Sequence, residues 1–304
     1  MYKLIVKYNN LISFPAKLFI SFGATYYLWH HRYFSALFRP ASLGISTEFW
    51  IVLLGFSLIN WMLEIKKWQF LASHVRSISL LEAARQSLTG FAISLLTPNR
   101  IGEYGVKILF FNRKEHKKIF SLNLIGNLSQ LIITIIFGWA GIVFWSKNHW
   151  LPEEFSYFQN FHYKWVIIPL LLSLLYLLYK KWGQNFFILF NNTNIWKKSL
   201  LFALLRYLTF STQYILLLYY FTNNMDWKIT ISGIFITYFL SSLIPMLSIF
   251  DWAVKGSIAV WILGSTGIEQ SVVFKVSMLM WAVNFMLPLI TGIVWMWIKN
   301  KERK

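Results

Sequence analysis

Apolar residues in this chain fall in long runs instead of stripes at helical or strand spacing. Eight runs approach the length needed to cross a bilayer: about 11–29, 48–65, 88–111, 119–145, 164–179, 199–221, 229–264 and 272–298. Six are simple and two are broken. The third is interrupted by Thr97-Pro98-Asn99-Arg100-Ile101-Gly102-Glu103, and the seventh by Pro245 followed by Asp251 and Lys255. Each break puts a proline and charges where a spanning helix should be most apolar. The pattern predicts an all-α polytopic membrane protein with about eight hydrophobic segments.

The two breaks resemble each other. Arg100-Ile101-Gly102-Glu103-Tyr104-Gly105-Val106-Lys107 aligns with Ser248-Ile249-Phe250-Asp251-Trp252-Ala253-Val254-Lys255: an acid, an aromatic, a small residue, Val, then Lys. A Leu/Ser-rich run ending in proline precedes each, and one long apolar segment follows each. The order of elements repeats, which predicts two four-segment halves, about 1–150 and 151–304, in a single transmembrane domain, as in transporters built from duplicated units. A half-helix such as 90–97 or 252–264 is about 12–20 Å long, short of the roughly 30 Å hydrocarbon core. Joined end to end, though, the third segment could just span, so loop charge and not length decides whether each half carries one re-entrant helix.

Composition agrees with the membrane reading. Of 304 residues, 57% are apolar, 19% aromatic and 13% charged, with a mean hydropathy of +0.52, whereas soluble chains carry roughly 25% charged residues. The net charge is +18. In a soluble chain that surplus would suggest nucleic acid; here it marks cytoplasmic loops beside anionic lipid, and no nucleic-acid partner is expected. If both broken segments are re-entrant and the termini cytoplasmic, 18 basic residues lie inside and 6 outside. If all eight segments cross, the figures become 13 and 11. The positive-inside rule prefers the first arrangement, in which the halves are inverted and the protein sits multi-pass in a cell membrane. The first apolar run carries Pro15 and Lys17 and no small-residue cleavage pattern, so it reads as retained.

The charges inside the breaks carry the candidate chemistry. A bare charge at the centre of a membrane helix costs roughly 2.5–3.5 kcal/mol, so Arg100, Glu103, Lys107, Asp251 and Lys255 should face protein, water or ligand. Glu103 with Lys107 and Asp251 with Lys255 are i,i+4 pairs with the acid first, the favourable order. They read either as self-neutralised pins or, with Arg100, as a midplane cavity for a phosphate or other anionic head group. Pro98, Gly102 and Pro245 make the breaks. Glu64, beside Lys66, Lys67 and Trp68, reads as interfacial. Arg206 is either its counter-ion or a second head-group contact. Gln130 and Gln213 suit helix–helix hydrogen bonding, and Asn284 with Pro288 suits a kink with a local cap. Cys is absent and the six His lack ligand spacing, so neither metal nor cofactor is expected.

At these residues the chain resembles the flippase-like membrane family related to the transmembrane region of lysylphosphatidylglycerol synthase. The resemblance rests on Asn60-Trp61-Met62-Leu63-Glu64 with Lys67-Trp68, Leu96 to Glu103, Gly126-Asn127-Leu128-Ser129-Gln130, Leu205-Arg206-Tyr207 with Gln213-Tyr214, Ser242-Leu243-Ile244-Pro245, and Trp281 with Asn284 and Pro288. It covers about residues 48–298 and implies an eight-segment flippase module that moves a polar lipid between leaflets. In the fused synthases a soluble aminoacyl-transferase domain follows; none is expected here, so the resemblance does not extend to the lipid-modifying activity. Where such proteins usually have Glu-x-Gly-x-Arg, this chain has Asp251-Trp252-Ala253-Val254-Lys255, keeping the charge signs without the guanidinium fork.

The leading expectation is thus a lipid flippase for a polar lipid, whether anionic, amino-acylated or glycosylated, with a membrane lipid as partner and a homodimer left open. No Gly-x₄-Gly-Lys-Ser/Thr motif supplies nucleotide drive. The alternatives are an integral-membrane transferase acting on a lipid-linked sugar or phosphate, with Glu103 or Asp251 as base, and a non-transporting scaffold subunit whose ion pairs are structural.

Overall fold

The computed structural model describes residues 18–31, 33, 44–95, 97, 101–148, 192–222, 225–244 and 248–302. The expected segment at 164–179 lies outside these, as do Pro98, Arg100 and Pro245. Every regular element among the described residues is helical: α1 (18–30), α2 (Thr47–Ala72), α3 (Leu80–Ser94), α4 (Ile101–Ile108), α5 (His116–Lys147), α6 (Thr193–Phe221), α7 (Trp227–Leu243), α8 (Asp251–Gly264) and α9 (Gln270–Glu302).

Polar residues start the helices. The side chains of Ser46, Ser79, Asn192 and Asp226 accept hydrogen bonds from backbone N–H groups in the first turns of α2, α3, α6 and α7, satisfying donors that have no partner within the helix. Four segments, Thr47–Ala72, Arg113–Lys147, Thr193–Phe221 and Gln270–Trp295, are long and apolar enough to cross a bilayer. Their outer faces expose Ile51, Leu58, Ile136, Leu201, Tyr219 and Ile290. A soluble fold would bury such a set; a multi-pass membrane protein turns it to lipid.

The two breaks fall where the prolines and charges predict, between α3 and α4 and between α7 and α8. In the first, the Thr97 hydroxyl donates to Ser94 O at 3.1 Å and accepts the Gly102 N–H at 2.8 Å. One side chain thereby ties the end of α3 to the start of α4. A Cβ on Gly102 would lie 2.8 Å from Thr97 Oγ1, and one on Gly90 3.2 Å from Glu103 Cγ, so both glycines let the hairpin arms close. Ser248, in the second break, donates to Thr97 O at 3.5 Å. The two breaks meet.

Neighbouring helices reveal their directions through paired residues. Along α2 and α6, Phe49 stacks on Tyr220, Gln213 donates to Leu53 O, Arg206 binds Glu64 and Phe202 packs on Phe70, so these helices run antiparallel. Helices α5 and α6 run parallel, with Ile119, Leu122 and Ile125 beside Ile195 and Phe137 stacked on Tyr207. On α7, Ser232 accepts from Trp145, and Phe239 abuts Gly138, so α7 opposes α5. On α3, Leu88 abuts Gly292 and Phe91 packs on Phe285, so α3 opposes α9. The first arm of each hairpin therefore lies on the long helix that follows the other hairpin.

Candidate functional site

Three charged groupings stand out in the interior among the described residues. The first centres on Glu64. Its Oε2 accepts from Lys67 Nζ at 2.8 Å and Arg206 Nη1 at 2.6 Å. Helix α2 runs to Ala72, well past the end of the apolar run, which keeps Glu64 and Lys67 inside the bundle. They are 8% and 3% exposed, so Glu64 is enclosed by protein, and Lys67 stands in a helix and not in a loop. The counter-ion role for Arg206 is realised.

From Arg206 a chain of hydrogen bonds crosses the molecule. Its Nε donates to Asn60 Oδ1 at 2.9 Å, Asn60 Nδ2 to Asn284 Oδ1 at 3.0 Å, Asn284 Nδ2 to Gln213 Oε1 at 2.8 Å, and Gln213 Nε2 to Leu53 O at 2.9 Å. Pro288 lacks the N–H that would bond the carbonyl four residues earlier. That carbonyl is Asn284 O, and the Trp61 indole donates to it at 2.9 Å. Helix α9 continues through Pro288 with its orphaned acceptor satisfied from α2.

The second grouping is Glu103 and Lys107 on α4. Lys107 Nζ lies 2.6 Å from Glu103 Oε1 and 2.9 Å from Asn123 Oδ1, and 4.2 Å from the Trp68 ring centroid. At 1% exposure Lys107 is locked into the wall between α2, α4 and α5. A cation held by a carboxylate, an amide oxygen and a ring face has its donors committed.

The third grouping lines a cavity of about 410 Å³ bounded by α2, α3 and α5 to α9, within the roughly 300–1,000 Å³ usual for ligand sites. Asp251 and Lys255, paired at 2.7 Å, stand on its wall with Arg206. So do Gln130, Asn60 and Asn284, along with the rings of Trp61, Phe91, Phe210, Tyr214, Tyr238, Trp281 and Phe285. Both polar atoms of Gln130, the Tyr238 hydroxyl and the Trp281 indole N–H are buried without a hydrogen-bond partner among the described residues.

Of the expected site residues, Asp251, Lys255, Arg206, Gln130 and Asn284 thus share one cavity. Glu64 and Gln213 support it through the polar chain. Glu103 and Lys107 are not among its lining residues, although their break touches the other. Asn60, Lys67 and Asn123 belong to the polar interior without having been expected there. For the first two a signal exists, since Asn60, Glu64 and Lys67 recur at i, i+4 and i+7 on one helix face. No group of three metal-binding side chains occurs among the described residues. No protein-family model, curated protein or solved structure matches the chain.

Proposed function

We propose that this protein is a lipid flippase, with a polar head group passing through the cavity while the acyl chains stay in the bilayer. The observation that carries the reading is a charged, aromatic-lined cavity inside a helical bundle whose outer face is apolar. The helix directions support two inverted halves: α2 opposes its counterpart α6, and α5 opposes α9, because α2 runs parallel to α9, as the contacts Ser57 to Val283 and Asn60 to Asn284 indicate. Inverted units meeting at a central polar site are a transporter architecture. The resemblance to the transmembrane region of lysylphosphatidylglycerol synthase favours the same activity.

Lys255 and Arg206 supply the charge that holds the head-group phosphate, each while keeping its carboxylate partner, Asp251 or Glu64. Glu103 and Lys107 serve the wall. The test is lipid transfer in vesicles containing the full chain. Wild type is expected to accelerate transfer of a labelled phospholipid, and Lys255→Ala with Arg206→Gln to reduce it at least tenfold. A rate equal to that of protein-free vesicles for anionic, zwitterionic and glycosylated lipids alike would sink the proposal.

A further inference from the structure

The lining of the cavity discriminates among head groups. Its charged members among the described residues are Arg206, Lys255 and Asp251. Asp251, the sole carboxylate among its described lining residues, already accepts from Lys255 at 2.7 Å. Arg206 has Nε on Asn60 and Nη1 on Glu64, while its Nη2 carries no hydrogen bond among the described residues. The described lining therefore has one cation in excess and no carboxylate left for an ammonium group. An amino-acylated head group, which brings a positive charge, meets repulsion there without a counter-ion; an anionic one meets a guanidinium edge suited to phosphate oxygens.

The unpartnered groups add a second requirement. Gln130 on α5 has both a donor and an acceptor free, the Tyr238 hydroxyl on α7 can do either, and Trp281 on α9 can only donate. Buried polar atoms normally have partners; unlike the other unpartnered side chains among the described residues, these three stand around one cavity, where a ligand that draws them inward can supply the bonds. A phosphodiester accepts but does not donate, and cannot satisfy the amide oxygen of Gln130. Hydroxyl groups do both. Ring faces beside them match the apolar C–H faces of a sugar or cyclitol.

We propose that the cavity selects an anionic, polyhydroxylated head group, a sugar or cyclitol joined through phosphate, over amino-acylated and choline head groups. That this ligand is a lipid rests on the flippase reading; its hydroxyls and negative charge rest on Gln130, Tyr238, Trp281, Arg206 and Lys255.

The test measures binding to the purified full chain in detergent, using dioctanoyl phosphatidylinositol, phosphatidic acid, lysyl-phosphatidylglycerol and phosphatidylcholine, with soluble inositol 1-phosphate as a fifth probe. Phosphatidylinositol is expected to bind about tenfold or more tighter than the lysyl and choline lipids, with phosphatidic acid between. Gln130→Leu and Tyr238→Phe should each weaken phosphatidylinositol by about three- to tenfold, the worth of one hydrogen bond, and weaken phosphatidic acid less. Because each removes an unpartnered polar atom, both should also raise the midpoint of thermal unfolding without ligand, which separates lost binding from lost folding. Equal or tighter binding of the lysyl or choline lipid, an unchanged preference over phosphatidic acid in both variants, or no binding of any probe would overturn the proposal. Inositol 1-phosphate binding as tightly as phosphatidylinositol would uphold the head-group class and remove the lipid from it, defeating the flippase reading instead.

Discussion

At the scale of single residues, Glu64, Lys67, Glu103, Lys107, Arg206, Asp251 and Lys255 each have an opposite charge within 2.8 Å. Glu64 holds two cations at once, so Glu64→Gln leaves Lys67 and Arg206 in the bundle without their carboxylate. Removing one partner of a buried pair costs about 3–5 kcal/mol; a comparable loss is expected here, read by thermal unfolding in detergent. Lys107→Met should destabilise by a similar amount by stranding Glu103, and adding Glu103→Gln should recover part of it. The Trp61 indole offers a finer test. Trp61→Phe removes the donor to Asn284 O and should cost about 1–3 kcal/mol, whereas in a Pro288→Ala background, where the helix supplies its own N–H, the same change should cost clearly less. Equal costs in the two backgrounds would reject that role for the indole. Arg206 and Glu64 are legible as candidates because a charge in an apolar run is conspicuous. Lys67 reads as interfacial in the sequence because the apolar run ends before the helix does. Asn123 shares its run with Asn127 and Gln130, so nothing local singles it out as the amide that receives a buried lysine.

At the scale of elements, both breaks are legible because a proline with adjacent charge cannot sit in a lipid-facing helix. The start of α3 is not. Leu80 to Ser87 carries Glu82, Arg85 and Gln86, which reads as loop by hydropathy, yet Ser79 caps it and Gln86 is fully buried against Trp68. Close approach of helices is equally hidden, because a glycine in an apolar run looks the same whether or not another helix crosses it. A Cβ on Gly138 would lie 2.2 Å from Phe239 Cβ, and one on Gly292 2.3 Å from Leu88 O. Gly138→Ala and Gly292→Ala should each lower the thermal midpoint markedly, because backbone or Cβ atoms must move. Gly55, inside α2, is the control, since a Cβ added there would meet nothing within 4 Å. Gly55→Ala should leave stability unchanged or raise it by up to about 1 kcal/mol.

For the whole molecule, the composition alone is enough to place the chain in a membrane, and the four long apolar helices agree. Which residues share a cavity is not legible, because it depends on which helices neighbour one another, and only the relation between the two breaks hints at that. The inverted arrangement expected from loop charge can be tested directly, since the chain has no cysteine and each introduced one is a unique probe. Lys114→Cys and Lys197→Cys should label from the cytoplasmic side, and Lys147→Cys and Lys228→Cys from the opposite side; reversal of either pair would refute the arrangement. The chain of amides from Arg206 through Asn60 and Asn284 to Gln213 has a mechanical consequence. It bolts α2, α6 and α9 into a fixed chassis, while α5, α7 and α8 contribute Gln130, Tyr238, Asp251 and Lys255 to the cavity without joining that chain. Any swing that opens the cavity to one leaflet and then the other should therefore be a movement of α7 and α8 against a stationary frame. Spin labels on α2 and α6 should keep their separation when ligand binds, and labels on α7 and α2 should not.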